Sequence, residues 1–538
     1  MNHIRFSFFV VMIAVFAFSA CQKPLNTQCG IIPAPKLVSF GRGHFVIDDK
    51  TRIVCVDTAM KAEAEKLQKY ISAATGKNIP ITDSGTKNVI VLETDTGMEG
   101  AEAYQLAVEC KRVICSAATA AGMFYAGQSL IQLFDAAGKL PCMFITDQPQ
   151  YEWRGLMLDE SRHFFGKEVV KQQLDVMARL KMNRYHWHLT DEPAWRIEIK
   201  RYPKLTEIGS AGNWSDHQAA RMFYTQDDVR EIVAYAAERH IMVIPEIDMP
   251  GHASAVTRAY PEVSAGGKGR WAGFTFHPAK EGVYEFLNHI LIEIAELFPA
   301  PYIHIGGDEV NYGNQTWYTD QVIQKFIQDN HLGNESGMEH YFVRRACDMV
   351  HHLGKTVIGW DEIITSGVSP DRAIAMWWRH NKKDVLEQAL NKNFRVILCP
   401  RIPCYMDFVQ DGSHKHGRRW GERFISLSSV YQFPKEIQPL IEGREQQILG
   451  MQVNMWTERV ADKQRLDFMI YPRVVAIAEN TWSDAAQKNE ASFEERLKVF
   501  LKYLNGLDVY YFNPFDKEST PEPWGPDTPD WYNRPEYQ

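Results

Sequence analysis

From Trp153 onward the chain alternates short apolar runs with long amphipathic stretches, and this alternation restricts the fold more than any other feature. Eight strand-like runs stand at 154–159, 184–189, 242–247, 302–305, 356–360, 373–377, 395–399 and 449–454. Segments with helical period follow most of them, at 167–180, 226–239, 282–297, 337–353 and 468–478. Strands that alternate with helices pack as parallel βα units. Eight such units close a (β/α)8 TIM barrel, typically of ~250 residues. The stretch 149–488 is longer, so sizeable loops must leave the strands.

A smaller α/β domain is expected ahead of the barrel, over residues 31–148. Ile53-Val54-Cys55-Val56 and Val89-Ile90-Val91-Leu92 are β-branched runs, and a helix between them, 59–74, closes at Gly76. A strand pair at 105–109 and 112–116 flanks a Cys-Lys turn, and 119–134 reads as a second helix. No reactive constellation falls here, so its role is structural. After the barrel, 489–538 holds one more helix and a tail rich in Pro, Asp and Trp.

Residues 1–20 are an export signal: a basic residue at Arg5, an apolar run over 6–18, then Ser19 and Ala20. The apolar run is shorter than the ~20 residues of a membrane span. Phe18-Ser19-Ala20-Cys21 resembles the lipobox of bacterial lipoproteins. Cys21 is then a lipid anchor, 21–30 its linker, and the expected location is the bacterial periplasm or outer membrane. The alternative is a soluble secreted protein with an ordinary cysteine. The other eight cysteines show no metal-ligand spacing and are expected mostly as free buried thiols.

Lys and Arg total 59 against 67 Asp and Glu, and no basic block appears, which argues against a nucleic-acid partner. Fourteen Trp are present, and although most tryptophans in any protein pack in cores, a sugar-binding cleft uses exposed indole faces.

The active site of a (β/α)8 barrel lies at the C-terminal strand ends. Read in order, those ends offer Arg154 and Asp159, Asp191, then Glu246 with Asp248 and His252. Asp308 and Glu309 follow, then Trp360 with Asp361 and Glu362, Trp377 and Trp378, Tyr405 and Asp407, and Trp456 and Glu458. Acids and tryptophans dominate. Acid catalysis beside an aromatic wall is the chemistry of glycoside hydrolysis.

These residues carry a family resemblance. His304-Ile305-Gly306-Gly307-Asp308-Glu309 is similar to the H-x-G-G-D-E signature of glycoside hydrolase family 20. Around it, in the family's order, stand 154–159, 186–191, Met249-Pro250-Gly251-His252, Tyr405-Met406-Asp407 and Trp456-Thr457-Glu458. Departures are His277-Pro278 for the more usual Asn-Pro, and Glu192-Pro193-Ala194 for the commoner Asp-Gln-Gly.

A retaining glycosidase with its own nucleophile holds two carboxyls ~5–5.5 Å apart on opposite sides of the scissile bond. Asp308 and Glu309 are sequence neighbours and poorly placed for that. The resemblance implies instead that the substrate's 2-acetamido oxygen attacks, forming an oxazolinium ion. Glu309 is then the general acid and base, and Asp308 the partner of the acetamido N–H. That division requires a neutral Glu309 and an ionised Asp308. The resemblance also implies that Arg154 grips ring hydroxyls, Tyr405 donates to the acetamido oxygen with Asp407 in support, and Glu458 accepts from the sugar. Trp360, Trp378 and Trp456 wall the pocket, with Trp377 the alternative to Trp378. Asp191 and His252 support the catalytic pair.

The implied activity is an exo-acting β-N-acetylhexosaminidase on glycans, with no cofactor or metal. GlcNAc and GalNAc both remain open as substrates. The His186-x-His188 pair could suggest a metal, but no further ligand set follows it, so packing or support is expected. The basic cluster of His414, Lys415, His416, Arg418 and Arg419 reads as a solvated loop, and Glu246, Asp361 and Glu362 as rim hydrogen-bonders. Rival readings are a non-catalytic glycan-binding lipoprotein, a metal-dependent hydrolase on the same barrel, and a disaccharide-releasing relative.

Overall fold

The computed structural model describes residues 29–526 apart from 136 and 420–422. The export signal, Cys21 and the tail after 526 lie outside the described residues. Among the described residues no helix is long and apolar enough to cross a membrane.

The first domain is a seven-stranded mixed sheet. Its strands are β1 (Leu37–Val46), β2 (Arg52–Cys55), β3 (Ile81–Thr82), β4 (Val89–Thr94), β5 (Tyr104–Glu109), β6 (Arg112–Ala117) and β7 (Lys139–Asp147), in the order β1-β7-β5-β6-β4-β2-β3. The helices Lys61–Thr75 and Ala120–Gln132 pack against it, burying Leu67, Ile71, Phe124 and Leu130. Gly76 ends the first at φ 70°, the left-handed stop its position required. Strands β1, β3 and β7 were not legible: β1 is largely exposed and β3 has two residues.

The second domain is a closed parallel barrel of eight strands. They are β8 (Trp153–Asp159), β9 (Arg184–His188), β10 (Met242–Glu246), β11 (Tyr302–His304), β12 (Thr356–Trp360), β13 (Ala373–Trp377), β14 (Arg395–Leu398) and β15 (Ile448–Met455). All eight expected strands are present. Because helices cover the outside and side chains fill the inside, the strands are buried on both faces and read as continuous apolar runs. The stretch expected as one helix at 468–478 is two, Lys463–Ile470 and Arg473–Trp482. Pro472, which lacks an N–H, occupies the N-cap position of the second.

The domains meet beneath the barrel through buried ion pairs. Lys181 Nζ donates to Asp147 at 2.9 Å, and the Trp482 indole N–H donates to the same carboxylate at 3.0 Å. Arg154 joins this seam and not the active site. Its guanidinium forks onto Glu102 at 2.7 and 2.9 Å, donates to the Lys181 and Tyr151 carbonyls, and lies over the Trp482 ring. The reason is strand direction. Arg154 is the second residue of β8, so about five residues, roughly 16 Å, separate it from the C-terminal end where the chemistry sits.

Candidate active site

The loop leaving β11 builds the site. Gly306 and Gly307 take φ 67° and 94°, and a Cβ on Gly306 would lie 1.8 Å from Asp248 Oδ1. Only a glycine lets the backbone pass that carboxylate, which also accepts from the Gly307 N–H at 3.3 Å. Asp308 and Glu309 follow. Glu309 itself is left-handed at φ 53°, an unfavourable conformation for a non-glycine residue and one found at functional sites. The turn sets the two acids apart: the Asp308 side chain is 13% exposed and that of Glu309 35%.

His252, also left-handed at φ 52°, ties both acids to the barrel interior. Its Nε2 lies 3.8 Å from Asp308 Oδ2 and 3.8 Å from Glu309 Oε2, and its Nδ1 bonds Asp191 Oδ1 at 3.0 Å. Asp191 also takes Arg162 at 2.5 Å and His188 Nε2 at 2.7 Å. The other nitrogen of His188 bonds Glu246 at 2.5 Å, and Glu246 accepts from the Trp360 indole at 3.0 Å. A hydrogen-bonded chain thus runs from the barrel core to within reach of Asp308 and Glu309, through His188, Asp191 and His252.

The electrostatics follow this wiring. Burial alone would depress His252, but Asp191 and Asp248 outweigh it and hold the imidazole well above its ordinary range. Burial, reinforced by the charge of Asp248 and opposed by His252, pushes the Asp308 carboxyl well above the usual carboxylate range. In the free site this opposes the ionised Asp308 that the sequence led us to expect. A bound acetamido N–H or a developing positive charge favours the ionised form.

The opposite wall is aromatic. Trp456 lies 5.9 Å from Trp360 and 6.1 Å from Tyr405, centroid to centroid, with the Arg162 guanidinium over its ring. Neighbouring strand residues point to opposite sides, and the two candidate tryptophans divide accordingly. Trp377 is fully buried and donates to the Lys382 carbonyl. Trp378 donates to Glu362 at 3.1 Å, and Glu362 is close enough to feel the charge of Asp308, so Trp378 is on the pocket side.

Asp407 and Glu458 are bridged by Arg418, at 3.0 Å to each. Burial lifts Asp407 to about 6 against the pull of Arg418. Burial also opposes ionisation of Glu458, but Arg418 and Arg162 overcome it and lower the carboxyl. Arg418 is therefore part of the site rather than of a solvated loop.

Among the described residues, three trios bring one possible ligand atom each within 4.8 Å: His186, Glu246 and His304; Asp191, Asp248 and His252; and His252, Asp308 and Glu309. In the first, Glu246 already serves His188 and Trp360, and the Gly306 N–H donates to His304 Nδ1. In the second, Asp191 holds Arg162, His188 and His252.

A barrel with this acid pair at the end of β11 meets its counterpart in known proteins. Residues 151–485 match the model for glycosyl hydrolase family 20, catalytic domain, and residues 28–148 match the model for domain 2 of the same family. The chain belongs to glycosyl hydrolase family 20. It is 35% identical to the β-hexosaminidase of Porphyromonas gingivalis, over 96% of this chain and 69% of that relative. The β-hexosaminidase of Vibrio furnissii is also 35% identical, over 83% of this chain and 76% of its own length. Among solved structures, the Vibrio harveyi exo-β-N-acetylglucosaminidase in complex with N-acetylglucosamine superposes with a TM-score of 0.83. Its identity is 29%, covering 93% of this chain and 80% of that one. The Bacteroides fragilis β-N-acetylhexosaminidase gives 0.80, again at 29%, over 92% and 99%.

This family 20 chain is a glycoside hydrolase whose site gathers most of the residues named from sequence. Asp308, Glu309, Trp360, Trp378, Tyr405, Asp407, Trp456, Glu458, Asp191 and His252 converge, and Arg154 does not. The arginine of the site is Arg162. It lies three residues beyond the end of β8, bonds Asp191, and stacks on Trp456. Its signal was its place just past a strand's C-terminal end, where a functional side chain is expected. Of the two departures, Glu192 stands 3.6 Å from His252, at the site, whereas His277 is buried 3.7 Å from Asp320.

Proposed function

We propose that this enzyme removes terminal non-reducing β-linked N-acetylhexosamine from glycans, with retention of configuration, through an oxazolinium intermediate. It is a β-N-acetylhexosaminidase, and the family relatives named above support N-acetylglucosamine as one accepted sugar. The observation that carries the residue assignment is the unequal exposure of the acid pair: Asp308 is enclosed and Glu309 opens toward solvent. The enclosed acid suits the acetamido group inside the pocket, and the open one suits the leaving oxygen at its mouth.

In the first step the acetamido oxygen forms a bond to the anomeric carbon as the glycosidic bond breaks, and Glu309 gives its proton to the departing oxygen. Asp308 accepts from the acetamido N–H and stabilises the positive ring that forms. Tyr405 donates to the acetamido oxygen. Trp360, Trp378 and Trp456 exclude water around the methyl group. Glu309, now a carboxylate, takes a proton from water, which adds at the anomeric carbon and reopens the ring. Arg162 and Glu458 hold the sugar hydroxyls, the first as a planar donor fork and the second as an acceptor.

The motif at Cys21 supports an exported protein anchored by lipid to a bacterial envelope membrane. The test of the catalytic reading is a panel of β-linked GlcNAc, GalNAc and disaccharide aryl glycosides. Release from a monosaccharide glycoside is expected; release from the disaccharide glycoside alone would overturn exo-cleavage of single sugars.

A further inference from the structure

The Cys110-Lys111 turn of the first domain joins β5 to β6, and β5 pairs with β7 on its other side. Among the described residues Cys110 is the one exposed cysteine, whereas Cys142, on β7, is buried. The two side chains meet at the edge of the sheet. Cys110 Sγ lies 3.2 Å from Cys142 Sγ.

Strand β1 is shaped around them. It pairs Phe40 with Met143 and His44 with Pro141, so residues 41–43 bulge opposite the single Cys142. A Cβ on Gly43, whose φ is 95°, would lie 2.5 Å from Cys110 Sγ, and one on Gly41 would lie 3.3 Å from Cys142 Cβ. Two glycines therefore leave room for the thiols where side chains would press on them. Between those glycines, the Arg42 carbonyl accepts from the Cys110 thiol at 3.6 Å. Burial, together with the neighbouring Cys110 sulfur, pushes the Cys142 thiol up to about 12. The exposed Cys110 is thus the thiol that meets a reagent first, and capping it removes part of what holds the proton on Cys142.

We propose that Cys110 and Cys142 are a modification site, a dithiol that closes into a disulfide when it meets an organic disulfide as oxidant. Two exchanges do this. Cys110, as its thiolate, attacks one sulfur of the donor; the donor S–S bond breaks, and the departing half takes up a proton. Cys142 then gives up its proton and attacks Cys110 Sγ, forming the new S–S bond and expelling the second half as a thiol. The protein loses two electrons and two protons, and the donor leaves as two thiols. A disulfide bond is about 2.05 Å long, so the sulfurs need to close by only about 1 Å. The bond fastens the β5–β6 turn to β7, the strand whose Asp147 meets Lys181 and Trp482 at the domain seam. That the chain encounters such an oxidant rests on the proposed export.

The test incubates the full chain, reduced and freed of reductant, with oxidised glutathione, then unfolds, alkylates and digests it for mass spectrometry. A peptide joining Cys110 to Cys142, two hydrogens lighter than its separate halves, is expected, and alkylation of Cys110 should fall by about tenfold or more. Cys142→Ser should instead retain glutathione on Cys110, and Cys110→Ser should leave Cys142 open to alkylation. Hydrolysis of an aryl N-acetyl-β-glucosaminide, which takes place in the other domain, checks that each variant is folded. A native chain that keeps glutathione on Cys110, or is alkylated at both cysteines, overturns the pair. Recovery of the chain from the cytoplasm of the producing cell overturns the export instead, and the glutathione result still decides the chemistry.

Discussion

His252 bonds Asp191 through Nδ1 at 3.0 Å and so keeps its Nε2 equidistant, at 3.8 Å, from the carboxyls of Asp308 and Glu309. The pair also has a pH signature. Burial would raise Asp191, but Arg162, His252 and His188 outweigh it and lower its pKa. Asp191 therefore contributes stability above its unfolded value of about 3.9, lost as pH falls. His252 is raised, so its contribution is full below about 6.5 and is lost as pH rises through its folded value. Asp191→Asn should thus lower the melting temperature most between about pH 4 and 6.5, and less on either side. A gap between variant and native protein that stays constant from pH 4 to 9 would contradict this coupling.

The two arginines near β8 should separate cleanly. Arg162→Ala removes a group that touches Asp191 and Trp456, and is expected to lower kcat/KM by about 100-fold or more. Arg154→Ala breaks a pair buried under the barrel, at about 3–5 kcal/mol of stability. The activity of the molecules that remain folded should change little. Thermal melts and active-site titration decide, and the reverse pattern would restore Arg154 to the site.

How much of this the sequence disclosed depended on what each residue answers to. The barrel strands were legible because parallel strands buried on both faces are short apolar runs between helices, a local property. The acid pair was legible because Gly306 must pass Asp248 and Gly307 must turn, so the constraint is written as two adjacent glycines. Arg154 misled because the family resemblance was carried onto it although it opens the expected strand 154–159 and so lies at the end away from the chemistry. Arg418 was obscured for another reason. It sits in a basic cluster with the pattern of a solvated surface, and only the fold brings Asp407 and Glu458 together beneath it.

Glu309→Gln removes the proton that the leaving oxygen needs. Loss should be about 100- to 10,000-fold for poor leaving groups and much smaller for activated aryl ones. A leaving-group series in steady state measures this, and equal losses across the series would count against Glu309 as the acid.

Cys21→Ser should move the protein from membrane to soluble fractions of the producing cell while kcat stays as it was. A native protein already found in the soluble fraction after export would remove the anchor.

The central claim is that the substrate's own acetamide is the nucleophile, and its oxygen can be weakened without touching the enzyme. Mono-, di- and trifluoroacetamido versions of one aryl glycoside withdraw electron density stepwise from the attacking oxygen. The measurement is kcat/KM across that series in the native enzyme. A steep, monotonic fall from acetyl to trifluoroacetyl is predicted; rates independent of fluorine, with a glycosyl ester trapped on Asp308 and seen by mass spectrometry, would contradict the account.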